Sequence, residues 1–311
     1  MIDADALLAA SRRPLVIGVG GGGDVVGALA VAESCRQLHA ASPVVGGVTW
    51  ERRPIDPRPG PRSAGEIEGA RVLAGPVLAA SPATRVRGDG TLFAESHMAR
   101  FLGEDVVLVD PHPGVRAVAE GLSEAMEGLG CDLLVALDVG GDALAHGDEP
   151  GLGSPLCDAL MLAAAARVSG VPVLGAVFGI GCDGELTPAE TLERLGEVAE
   201  AGGLAGARGL TGPVVERLEG ALAEVPTEAS AQAVRAFRGA GGPTAIRGGR
   251  RSVELSAVAA GTFFFDVAAA LRSSARLAAA VGEAGSLEQA NTILNALGVH
   301  TELDLERGPP A

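Results

Sequence analysis

The 311-residue chain contains no lysine and no tyrosine, so its 24 basic residues are all arginine. A lysine Schiff base, pyridoxal-phosphate chemistry and a Walker-type phosphate-loop lysine are excluded on that ground. A Tyr/Lys-type reductase is excluded as well. The four cysteines, Cys35, Cys131, Cys157 and Cys182, are scattered, with no CxxC pair. That spacing reads as a reduced thiol set, which places the expected location in the cytoplasm. Only Cys182, inside a glycine turn, is placed as a thiol nucleophile would be. The five histidines, His39, His97, His112, His146 and His300, show neither HxxxH nor His/Cys spacing, so they do not form a zinc set. No GxSxG elbow occurs, which leaves an α/β-hydrolase serine mechanism without support.

Long apolar runs are also missing. The best candidate, Val258 to Leu271, is interrupted by Asp266 and falls short of the roughly 18 apolar residues of a membrane span. The first residues, MIDADALLAA, lack the basic start and apolar core of a signal peptide. Net charge is −15, from 24 basic against 39 acidic residues. Such a surface repels phosphate backbones and anionic membranes, so neither nucleic acid nor membrane is an expected partner. The expected partner is a small-molecule substrate, with homo-oligomerisation left open.

What the chain does have is core-forming composition: 47% hydrophobic and 20% charged residues. Glycine (46) and proline (19) make about a fifth of the chain, below the roughly 25–30% of low-complexity segments. At about 150 residues per domain, the length allows two domains or one large α/β unit.

Five β-branched runs recur in the first two-thirds: Leu15–Val19, Val44–Val48, Val106–Val109, Leu133–Leu137 and Val171–Val177. Near-continuous apolar runs of this kind belong to strands buried on both faces of a parallel sheet. Helical stretches separate several of them, at Val25–Leu38, Pro113–Leu129, Pro155–Val168 and Pro188–Ala201. The alternation predicts a doubly wound, mainly parallel, Rossmann-like α/β sheet over residues 1–210. Arg71–Ala80 is expected to add an edge strand. Residues 211–311 read as a mostly helical appendage packed on the same core. Its helices are expected at Pro213–Ala223, Glu228–Phe237, Ala257–Val281 with breaks, and Leu287–Leu297, with a short hairpin at Thr244–Leu255.

Three strands end in glycine–aspartate turns: VIGVGGGGDVVGAL, LVALDVGGDALAHG and LGAVFGIGCDGEL. Parallel strands bring their C-termini to one sheet edge, where open α/β sheets bind ligands. Asp24, Asp138, Asp142, Asp183 and Glu185 are therefore expected in one cleft, with Asp110 ending a fourth strand on the same edge. Asp138, Asp142 and Asp183 are the expected ligands of a cation, and with Glu185 the expected catalytic carboxylates. A buried carboxylate after an apolar strand needs a partner or a metal. An all-carboxylate set favours Mg²⁺ or Mn²⁺ over Zn²⁺.

Gly18 to Gly23 also fits GxGxxG between a strand and a helix, and Glu51 is placed as a ribose-binding acid would be. That allows NAD(P) as the alternative cofactor. Against it, Asp24 sits where the pyrophosphate would lie, and two anions repel there. Asp24 also suits the helix N-cap. The loop Trp50 to Arg62, WERRPIDPRPGPR, holds the only tryptophan, four arginines and four prolines. A stiff basic loop after a strand predicts an anion clamp, with Trp50, Glu51, Arg52, Arg53 and Arg62 binding substrate beside Gly20, Gly21, Gly22 and Gly23. Glu66 lies on the same rim. Ser154-Pro155 is a helix start, and Asp158 in the first turn suits the helix dipole or a site; Ser154, Asp158 and Asp24 complete the expected substrate-binding set. His112 and His146 lie at the proposed edge as candidate bases.

GVGGGGDVVGALA, WERRPIDPRPGPR, DVGGDALAHGDEPGLGSPLCDALMLAAA, GIGCDGEL and TELDLER, in that order, resemble a prokaryotic family catalogued as domain of unknown function 1152. The resemblance covers nearly the whole chain. It implies one single-piece fold and carries over no catalytic residue. The chemistry read from the residues is an enzyme for a small anionic metabolite, working by metal-assisted hydrolysis or group transfer. A dinucleotide-dependent enzyme and a non-catalytic metabolite-binding protein are the alternatives.

Overall fold

The structure is a computed structural model that describes residues 2–308. Its strands are β1 (Pro14–Gly18), β2 (Val44–Val48), β3 (Ile67–Ala74), β4 (Val77–Val86), β5 (Val106–Val109), β6 (Leu133–Val139), β7 (Val173–Phe178), β8 (Leu204–Gly209), β9 (Gly242–Ile246), β10 (Arg251–Leu255) and β11 (Gly261–Phe265). Its helices are α1 (Ala4–Ala10), α2 (Asp24–His39), α3 (Ala94–Leu102), α4 (Gly114–Leu129), α5 (Pro155–Ala165), α6 (Pro188–Glu200), α7 (Gly212–Leu222), α8 (Ala229–Phe237), α9 (Val267–Ser273), α10 (Arg276–Ala280), α11 (Leu287–Ala296) and α12 (Glu302–Arg307).

The five β-branched runs form a parallel block, β5-β2-β1-β6-β7, at the centre of a nine-stranded sheet. Their side chains alternate between two cores. Leu15, Ile17, Leu134 and Ala136 face the core built with α4, α5 and the C-terminal helices. Val16, Val135, Leu137 and Leu174 face the core built with α2, α3, α7 and α8. Burial on both faces explains why these strands read as unbroken apolar runs. The chain steps from β1 outward through β2 to β5, then returns to the other side of β1 with β6. The topological switch therefore lies between β1 and β6, where ligand crevices of open sheets form.

The flanks differ from the sequence reading. Arg71–Ala80, expected as one edge strand, is the centre of an antiparallel hairpin, β3 with β4. The hairpin turns at Gly75, whose φ of +47° suits glycine. At the other flank, β11 runs antiparallel between β7 and β8. Its sequence GTFFF lies inside the stretch Ala257–Val281 expected as broken helix. Phe264 packs into one core while Phe265 enters the other, and this period of two overrides the alanine-rich flanks. Residues 211–311 thus supply a sheet strand besides helices. The expected hairpin is present as a separate two-stranded sheet, β9 with β10. Among the described residues, no helix is long and apolar enough to cross a membrane.

Candidate functional site

The strand ends and helix starts around the β1/β6 switch bring six carboxylates together. Asp24 opens α2, Asp138 is the penultimate residue of β6, and Asp142 is the third residue after that strand. Asp158 lies in the first turn of α5, and Asp183 and Glu185 lie in the turn after β7. One oxygen each of Asp24, Asp138 and Asp158 lies within 4.8 Å of the other two. The same holds for Asp142, Asp183 and Glu185.

Glycine makes this crowding feasible at two positions. A β-carbon at Gly20 would lie 2.7 Å from Asp24 Oδ2 and 3.0 Å from Asp158 Oδ2. A β-carbon at Gly140 would lie 2.1 Å from Asp183 Oδ1, and Gly140 has a φ of +124°. Any side chain there would push Asp183 out and strain the turn.

The protein supplies few donors to these acids. Asp24 Oδ2 accepts from Gly20 N at 3.0 Å, and Asp138 Oδ2 accepts from Ala143 N at 3.2 Å. Asp138 Oδ1, Asp158 Oδ1 and Asp183 Oδ1 find no hydrogen-bond partner among the described residues. The three residues are only 2%, 3% and 5% exposed. An unpartnered buried carboxylate oxygen is costly and calls for a proton or a cation. Burial pushes Asp24 up to about 7, partly offset by the Gly20 amide. Burial and the Asp24 charge push Asp138 to about 7 as well. Asp142, Asp158 and Asp183 are held well above the ordinary carboxylate range, first by burial and then by neighbouring acids. An all-oxygen donor set with free lone pairs fits a hard divalent cation.

Glu185 is held differently. Its Oε2 accepts from Gly153 N and Ser154 N, both at 2.7 Å, and its Oε1 accepts from the Ser154 hydroxyl. Ser154 stands at the N-cap of α5, yet its hydroxyl turns to Glu185 and not to its own helix. Glu302 of α12 takes over the capping, accepting from Leu156 N at 3.0 Å and Cys157 N at 2.9 Å.

The basic loop divides in two. Arg52 reaches the cleft: one amino group donates to Gly20 O at 2.8 Å and to Glu302 at 3.3 Å. Its guanidinium lies 4.3 Å from the Trp50 ring centre, and its other amino group has no hydrogen-bond partner among the described residues. The remaining members of the expected clamp are occupied. Arg62 is buried in an ion pair with Asp56 at 2.6 Å. Arg53 donates to Glu306 O at 2.7 Å. Trp50 is fully buried and donates from Nε1 to Glu306 at 3.1 Å. Glu51 caps α3, accepting from Ala94 N at 2.6 Å, and is not turned toward a ribose position on the glycine turn. Glu66 closes a capping box with Ser63.

The glycine turn is also partly committed. Gly22 N donates to Trp50 O at 2.9 Å, and Gly21 packs against the same carbonyl. Gly23 is roofed by Thr227, which a β-carbon would strike at 2.1 Å. Gly23, not Asp24, stands at the N-cap position of α2.

The other expected residues lie in networks of their own. Asp110 accepts from Ala64 N and His112 N, and pairs with His112 Nδ1 at 2.7 Å. His146 Nε2 meets Glu197 at 2.8 Å, and Glu149 spends its two oxygens on His146 N and Gly147 N. The four cysteines are buried and unpaired. Burial pushes the Cys182 thiol up to about 12, which removes it as a nucleophile near neutral pH.

Sequence reasoning did not find Glu302, Glu306 or Glu95. The TELDLER segment stood out as a motif, but nothing local says that its two glutamates reach back to α5 and to the Trp50 loop.

Fold and site together define an α/β protein with a cluster of largely buried carboxylates at the topological switch of its sheet. The chain belongs to the family described as protein of unknown function (DUF1152), whose sequence model matches residues 15–309. No curated protein and no solved structure matches the chain.

Proposed function

We propose that the protein is a Mg²⁺- or Mn²⁺-dependent enzyme acting on a small anionic metabolite by hydrolysis or group transfer. The observation that carries this reading is the set of buried, unpartnered oxygens on Asp138, Asp158 and Asp183 at the C-terminal edge of the sheet. The set expected from the sequence, Asp138, Asp142 and Asp183, is divided between the two trios, so Asp24, Asp138 and Asp158 are the residues that would hold the cation, with Asp142, Asp183 and Glu185 beside them. A bound divalent cation supplies Lewis-acid polarisation of a substrate oxygen. Arg52 offers to the substrate anion the amino group that makes no hydrogen bond and lies 3.9 Å from Glu306, and its stacking on Trp50 keeps the fork in place. A cavity of about 260 Å³, lined by Gly151, Gly184, Thr187 and Ser252 among others, touches the cluster at Glu185 alone of the six carboxylates and is the proposed place for the metabolite.

The Rossmann-like character of the sheet and a cytoplasmic location belong to the same proposal. The strand order β5-β2-β1-β6-β7 supports the first, and four unpaired buried cysteines support the second. The dinucleotide alternative has less support, because Glu51 caps α3 and Asp24 lies at the helix start.

The test is a melting curve in EDTA, Mg²⁺ and Mn²⁺, followed by assay of the loaded protein on phosphate and carboxylate esters. At about 100 times its Kd, a native-state cation adds roughly 2.7 kcal/mol of stability. The proposal expects that gain and cation-dependent turnover. No response to either metal, with stabilisation by NAD(H) or NADP(H) instead, would overturn it.

A further inference from the structure

The six carboxylates are not one evenly spread cluster. They form two trios, each compact within 4.8 Å, drawn from different elements. The first trio contains two unpartnered buried oxygens, Asp138 Oδ1 and Asp158 Oδ1, and the second contains one, Asp183 Oδ1. Each trio also has its own arginine charge. Arg52 stands beside Asp24 and Asp158. Arg247 and Arg251 stand 3.6 and 3.8 Å from Glu185. These arginines are shared: Arg52 also pairs with Glu302, and Arg251 donates to Gly151 O and Gly184 O at 2.8 Å. One divalent cation in the first trio therefore leaves the Asp183 oxygen buried and unpartnered. Asp142, a member of the second trio, is also repelled by Asp158 and Asp138 of the first.

We propose that the cleft holds two divalent cations, one among Asp24, Asp138 and Asp158 and the second among Asp142, Asp183 and Glu185. This rests on the proposed function and extends it from one cation to two. The Ser154 hydroxyl and the Gly153 and Ser154 amides orient Glu185 for the second cation, as outer hydrogen-bond partners orient metal-bound carboxylates. Carboxylate oxygens have lone pairs enough to accept these bonds and bind an ion as well. Two cations held by these residues would suit an anion that has several oxygens on one centre, as a phosphoryl group has. The substrate class is therefore a small phosphorylated metabolite, approaching the second trio from the cavity that Glu185 lines.

The experiment is Mn²⁺ titration of the full chain, with free Mn²⁺ counted by electron paramagnetic resonance, on wild type, Asp158→Asn and Asp183→Asn. The proposal expects two ions per wild-type chain and one per chain in each variant. Circular dichroism checks that each variant folds, and Asp24→Asn or Asp142→Asn replaces either one that does not. One ion in the wild type, or loss of both ions from a single variant, overturns the two-cation arrangement and leaves the proposed function standing. No bound ion in the wild type sinks both.

Discussion

Gly20 and Asp158 meet across the cleft, and a β-carbon on Gly20 would sit 3.0 Å from Asp158 Oδ2. The same methyl would sit 2.7 Å from Asp24 Oδ2. These contacts are with the ends of side chains, so the fold should accommodate Gly20→Ala while the space between the acids is lost. The expected outcome is a fall in Mg²⁺ affinity of at least about tenfold, roughly 1.4 kcal/mol, measured by calorimetry. Unchanged affinity would show that the space over Gly20 is not used.

Asp138→Asn and Asp158→Asn should each raise the melting temperature in EDTA. Each change removes one charge from a buried, repelling set and keeps the side-chain shape. A gain of about 1 kcal/mol corresponds to roughly 2–4 °C in a large domain. Both variants should lose most of the Mg²⁺-induced stabilisation. A drop in the cation-free melting temperature would mean that the carboxylates are held ionised by partners in the native protein.

Glu302 links the C-terminal helix to the site, through Arg52 and the first-turn amides of α5. Removing one partner of a fully buried ion pair costs about 3–5 kcal/mol. Arg52 keeps some solvent contact, with 28% of its side chain exposed, so Glu302→Ala should cost about 2–3 kcal/mol, allowing for hydrogen bonds lost as well. Glu288→Ala breaks an exposed pair with Arg307 and should cost less than about 1 kcal/mol. Urea unfolding of the two variants checks the ranking, and equal costs would contradict it.

Glu95 gives the clearest dependence on pH. It is fully buried, and both its carboxylate oxygens lack a partner among the described residues. Burial, then the nearby Glu51, hold its pKa well above the ordinary value. The unfolded chain gives up this proton near pH 4.3, whereas the folded chain keeps it. The stability that this group contributes is therefore fully present below about pH 4.3 and is lost as pH rises toward the folded pKa. Glu51, pushed up to about 7, adds a loss of the same sign between about pH 4.3 and 7. Glu95→Gln should match wild type near pH 4 and be more stable at pH 8. Parallel stability curves for the two proteins would count against a protonated Glu95.

The parts of this molecule that the sequence made legible are those whose signal is local. Five β-branched runs marked the parallel strands, because strands buried on both faces need apolar side chains at every position. Asp24, Asp138, Asp142, Asp158 and Asp183 were legible as site candidates because strand ends and helix starts fix where they point. Strand β8, LAGARG, was hidden because largely exposed glycine and alanine give no β-signal. Strand β11 was hidden by its alanine-rich neighbours. The basic loop shows the limit most plainly. Its charges are visible in the sequence, but Asp56 as the partner of Arg62 and Glu306 as the acceptor for Arg53 are tertiary facts. Glu302 reaches Leu156 across 146 residues of chain, a distance over which no local pattern speaks.

The central claim is that Asp24, Asp138 and Asp158 hold a divalent cation. The most direct measurement is anomalous diffraction from crystals of the full chain grown with Mn²⁺. The account predicts a Mn²⁺ peak bounded by oxygens of these three residues, lost in crystals of Asp158→Asn. A well-ordered cleft without anomalous density under saturating Mn²⁺, or a peak ligated only by other residues, would contradict it.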